Sequence, residues 1–208
     1  MTNHDAILWQ SARNLLDAQE NLNKLFKAFW LVECSGEDPK IEELEYDRSS
    51  GDFLQPVWNS FFLHRNTRAN GKAKGIVTIA IQLTADEGTE ADWADGKRSK
   101  VIVGYSTGIV RQDAWAFTTD GPNEAGYMEN CVAEQRFWRP EDKEDESWFY
   151  AVPLDFLTST ERVRELVVAP VREILRGGPL DDVFEKVDAS LAKVEASLCL
   201  PPQPGAAG

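Results

Sequence analysis

Gly104-Tyr105-Ser106-Thr107-Gly108 has the G-x-S-x-G spacing of a nucleophile elbow, where flanking glycines permit the strained turn that exposes a serine. Such a serine needs a base, and the chain has two histidines, His4 and His64, both ahead of Ser106. An elbow is ordinarily followed by a helix, an acid and then a histidine; here the next stretch reads as loop and strand. Other hydrolase folds run in the reverse order, so Ser106 with His64 is the candidate nucleophile–base pair. The plainer account is a glycine-bounded turn ending a strand.

Carboxylates gather in three places: residues 37–47, Asp86 to Asp95 and Glu141 to Glu146. Magnesium or calcium needs two or more converging carboxylates. The run Asp86, Glu87, Glu90, Asp92, Asp95 lacks the alternating ligands, central glycine and terminal Glu of an EF-hand. Glu141-Asp142-Lys143 holds the E-x-K pattern of one nuclease superfamily, but in an acid-rich loop after Pro140 where that family has a strand. Solvated charge is the simpler reading, and no metal ligand is assigned.

The segment His64 to Lys74 carries four cations, Arg65, Arg68, Lys72 and Lys74, and no acid. It follows the aromatic stretch Trp58 to Phe62, and aromatics beside cations can stack bases while contacting phosphate. These four are the candidate binding residues; the alternative is a basic loop leading into a strand. Gly71-Lys72 lacks the upstream glycine of a P-loop, so no nucleotide cofactor is implied, nor any other. Cys34, Cys131 and Cys199 are widely separated, which leaves zinc and redox motifs without their spacing. They read as reduced thiols of a reducing compartment.

Lys and Arg number 22 against 35 Asp and Glu, a formal net charge of −13. Direct binding of nucleic acid would work against that field. The N-terminus has no basic and apolar leader pattern, and no apolar run approaches the roughly 20 residues of a membrane helix. The expected location is cytoplasmic, away from membranes.

The elements that must position these groups follow from periodicity. Leu8, Leu15, Ala18, Leu22, Leu25, Phe29 and Val32 form one apolar stripe, widened by Leu16, Phe26 and Trp30, and predict a helix over residues 5–33. Residues 33–47, with seven acids and one lysine, read as a solvated connection. Phe53 to Leu63 is an apolar segment in which Pro56 suits a first helical turn. Alternation over Gly75–Thr84 predicts a half-buried strand, Val101–Ser106 and Ala114–Thr118 two more, and Trp148–Val152 a strand covered on both faces. The short connections between the first three favour an antiparallel meander.

Thr158 and Glu161 fit a capping box, Pro170 should kink or split the helix that follows, and Pro179 opens a last helix with its stripe from Leu180 to Leu198. The reading is one α+β domain over residues 1–200: an antiparallel sheet of four or five strands with long terminal helices packed on one face. Residues 201–208 form a Pro/Gly tail expected to be disordered. Without a complete catalytic set, the expected function is a non-enzymatic interaction or regulatory subunit with a protein partner. Two alternatives stand beside it: an acidic inhibitor or nucleic-acid mimic filling a partner's basic groove, and a metal-dependent nuclease or serine hydrolase.

Overall fold

A computed structural model of the chain describes residues 4–34, 39–47, 57–66, 71–83, 98–107, 131–134, 136–140 and 146–198. The predicted strand at 114–118, the acids at 86–95 and the tail at 201–208 lie outside the described residues.

The chain is of mixed α+β class. Helix α1 (His4–Ala28) runs into a 3-10 turn (Phe29–Val32), and seven antiparallel strands follow: β1 (Lys40–Asp47), β2 (Val57–Arg65), β3 (Ala73–Gln82), β4 (Lys100–Thr107), β5 (Cys131–Glu134), β6 (Phe137–Pro140) and β7 (Trp148–Pro153). They form one sheet in the order β1-β2-β3-β4-β7-β6-β5, three hairpins of meander with β7 returning beside β4. The sheet thus has seven strands where four or five were expected. Two of the extra ones come from segments that read otherwise in the sequence. Residues 40–47 are an edge strand, and their charges suit an edge, where ions and a bulge discourage pairing with another chain. The bulge is present between Glu43 and Glu45. Residues 57–65 are also a strand: Pro56 precedes a β segment, because Trp58, Phe62 and their neighbours alternate against β3.

Register fixes the faces of the sheet. Trp58, Phe62, Val77, Ile79, Ile81, Val101, Val103, Tyr105, Trp148, Tyr150 and Val152 share one core with the buried residues of the helices. On the opposite face Ile76, Thr78, Ala80, Ile102, Ser106, Phe149 and Ala151 are buried too, so β3, β4 and β7 are covered strands. The long alternating run of β3 is therefore buried on both sides from Gly75 onward.

The C-terminal third is one helical column with a defect. Ser159, not Thr158, is the N-cap, its hydroxyl accepting from the Arg162 N–H at 3.3 Å. Helix α2 (Thr160–Val163) widens into a π turn (Arg164–Val168) and then continues as α3 (Ala169–Leu175). Pro170 can give no N–H to the carbonyl of Leu166 and crowds it. The wide turn accommodates the ring, and the buried Tyr150 hydroxyl donates to that oxygen at 2.8 Å. Gly177, at φ 93°, closes the column: its N–H reaches the Ile174 carbonyl and that of Gly178 the Glu173 carbonyl. This is a Schellman end, which a residue with a Cβ fits poorly. Helix α4 (Leu180–Leu198) then buries Val183, Phe184, Val187, Leu191 and Val194. Among the described residues no helix is long and apolar enough to cross a membrane.

Candidate interaction surface

Ser106 and His64 do not meet. Ser106 pairs across β3 with Ile76 and faces the side of the sheet opposite the helices, whereas His64 pairs with Gly75 and points into the helix-covered core. Ser106 lies inside a strand, 3% exposed, and its hydroxyl makes no hydrogen bond among the described residues. An elbow serine requires the reverse: a sharp turn and an open approach.

His64 instead lies beside Tyr105, its Nδ1 3.2 Å from the phenol oxygen. Gly75 makes this possible. A Cβ there would fall 2.5 Å from the Tyr105 ring and 2.3 Å from the Ser106 carbonyl oxygen, so the ring crosses β3 only because that position has no side chain. Burial, reinforced by the Glu146 carboxylate, pushes the Tyr105 phenol up to about 12. The phenol is therefore neutral at physiological pH, and with His64 only 3% exposed the pair belongs to the core. Tyr105 stacks on Trp148, which stacks on Tyr150, in one aromatic file beneath Phe184.

The basic segment is divided by the hairpin between β2 and β3. Arg65 is tied to the edge strand: its Nε donates to Glu42 at 3.1 Å, and Glu42 also takes Lys40 at 2.7 Å. Lys40 first, then Arg65, hold the Glu42 carboxyl below its ordinary range. Lys72 and Lys74 point to solvent, and Arg68 lies outside the described residues. Among the acids of 37–47, Glu43 accepts from the Trp30 indole at 2.7 Å, and Glu33 accepts from the Glu43 N–H at 2.9 Å. These carboxylates fasten the edge strand to the end of α1. No group of three or more His, Cys, Asp or Glu among the described residues could hold a metal ion.

Helix α1 is the feature that differs most from expectation. Its stripe is buried only from Leu22 onward, where Leu22, Phe26, Phe29 and Val32 enter the core. Phe26 meets Trp30, Tyr46 and Trp58 edge to face at 5.2–6.1 Å and locks this half to β1 and β2. Ahead of Leu22 the same stripe leaves the body. Ile7, Leu8, Trp9 and Leu16 are 61–72% exposed, while Leu44 and Tyr46, the other exposed large apolar side chains among the described residues, are at 39% and 46%. Residues 4–21 amount to about 27 Å of helix. Among the described residues nothing covers this length of stripe, which makes it the candidate interaction surface.

No protein-family model, no curated protein and no solved structure matches this chain. The surface therefore has to be read on its own chemistry. The signal in the sequence was the length of the stripe: a helix predicted over 5–33 spans roughly the whole width of a domain of this size.

Proposed function

We propose that this is a non-enzymatic interaction protein whose N-terminal helix docks on a partner protein. The observation that carries the reading is the outer half of α1, with Leu8, Leu15 and Ala18 prolonging the stripe of Leu22, Phe26 and Phe29 beyond the protein's own core. Trp9, Ala12 and Leu16 widen it on one side. The occupant that suits it is a helix with an apolar face, in the manner of helix-in-groove or two-helix contacts. Charge defines its rim. The chain carries −13, and residues 4–21 hold Asp5, Asp17 and Glu20 against Arg13, so a partner helix edged with Lys or Arg gains where a second copy of this acidic chain is repelled.

The test is a triple variant, Leu8→Gln, Trp9→Gln and Leu16→Gln, probed with a labelled amphipathic peptide of Leu and Lys at helical spacing. The parent should bind the peptide, the variant should lose it, and the two should unfold in urea within about 1 kcal/mol of each other. Equal binding by both proteins refutes the reading. So does a loss of stability above about 2 kcal/mol, which would mean that these side chains pack within their own fold. Sedimentation of the parent as a dimer that the variant abolishes would assign the helix to a second copy instead.

A further inference from the structure

Beside the 3-10 turn, which contributes Leu31, lies a groove of about 860 Å³. Its walls carry Arg164, Arg172 and Arg176, and Leu31, Val168 and Ala169 line it between them. Three arginines thus line one groove of a chain whose net charge is −13. The one carboxylate lining it among the described residues, Glu173, is held at 2.6 Å by Lys186. Among the described residues Arg164 has the Glu161 carboxylate near it, at 4.0 Å. Arg172 has no carboxylate among the described residues; its Nη2 donates to the carbonyls of Leu31 at 3.0 Å and Glu33 at 2.7 Å. Those two bonds fix the plane of the guanidinium. Its Nε is buried without a hydrogen bond among the described residues.

The π turn aligns this set. In a regular α-helix, residues eight apart lie about 80° from each other around the axis, which would turn Arg164 away from Arg172. A π turn winds less per residue than an α turn, so the Arg164–Val168 segment works against that offset. Pro170 and Tyr150 hold the wide turn, so the core itself sets the spacing of the arginines.

We infer that the groove binds an extended acidic segment of a protein, with carboxylates at the arginines and an apolar side chain over Val168 and Ala169. From Arg164 to Arg176 the helix rises about 18 Å, the reach of five or six extended residues. A nucleic acid fits less well: its charge repeats beyond the groove onto a surface that is negative overall, whereas a short acidic segment ends where the arginines end. Guanidinium groups suit carboxylates as charge-assisted donors, and Arg164 is exposed to offer its own.

The experiment uses the full chain and a capped hexapeptide of alternating Glu and Leu, with a Gln-for-Glu peptide and a hexathymidylate as comparisons. The Glu peptide should bind and should shift the Arg172 side-chain Nε–H resonance. The Gln peptide should bind about tenfold more weakly or not at all. Arg164→Ala, at an exposed position, should weaken the Glu peptide about tenfold without altering the thermal midpoint. The Leu8, Trp9, Leu16 triple variant should bind it as the parent does, which separates this site from the one on α1. Any of four results overturns the proposal: no binding of the Glu peptide, equal binding of the Gln peptide, an Arg172 resonance that does not move, or tighter binding of the oligonucleotide.

Discussion

Replacing Tyr150 with Phe tests whether the π turn is held from the core. The Tyr150 hydroxyl donates at 2.8 Å to the Leu166 carbonyl, the oxygen that Pro170 leaves without its usual N–H donor. Both groups are buried, Tyr150 at 0% and Leu166 at 0% exposure, so water cannot take the place of the lost hydroxyl. The cost has two parts, a net hydrogen bond of about 1 kcal/mol and a buried carbonyl left without a donor, and together they come to about 1–3 kcal/mol. A double-mutant cycle isolates them. In a Pro170→Ala background the main chain at 170 regains an N–H, and Tyr150→Phe should then cost under about 1 kcal/mol. Equilibrium urea unfolding of the four proteins, with the m-value held constant as a check on two-state behaviour, reads the coupling directly. If Tyr150→Phe costs the same in both backgrounds, the hydroxyl does not substitute for the missing donor and the account of the π turn fails.

Gly75→Ala should destabilise by about 2 kcal/mol or more, since its Cβ would fall 2.3 Å from the Ser106 carbonyl oxygen and 2.5 Å from the Tyr105 ring; an unchanged thermal midpoint contradicts the packing described. Ser106→Ala removes a buried hydroxyl with no hydrogen bond among the described residues, so stability should stay within about 1 kcal/mol or rise, and a loss above about 2 kcal/mol in urea would reveal a partner for it. Stability should fall as pH rises from about 10 toward 12, because unfolded tyrosine ionises near 10 while burial raises Tyr105 to about 12 and Tyr150 further still. Below pH 10 both states keep the proton and the contribution is complete. Alkaline titration of the unfolding free energy should show a shallower decline in Tyr105→Phe, and an identical slope would show that this phenol is not the group responsible.

The amino-acid pattern by itself determined the α+β class and the positions of the strongest elements. β3 and α4 could be read from periodicity, because their residues repeat with the period of the element, and β7 from a short run apolar on both faces. The break at Pro170 was legible for a local reason, the missing N–H. Four matters were decided only by the tertiary structure. The acid-rich run at 40–47 pairs as a strand because β2 offers it an edge, and edge strands tolerate the charges that propensity counts against them. Tyr105, not Ser106, meets His64, because strand register alone determines which of two adjacent residues faces the core. The stripe of α1 gave no sign of where the protein's own surface ends, since an apolar face is written the same way for a core and for a partner. The arginine groove was beyond reach for a related reason. Arg164, Arg172 and Arg176 are scattered among acids in the chain, and the groove they line is completed by Leu31 from a distant element.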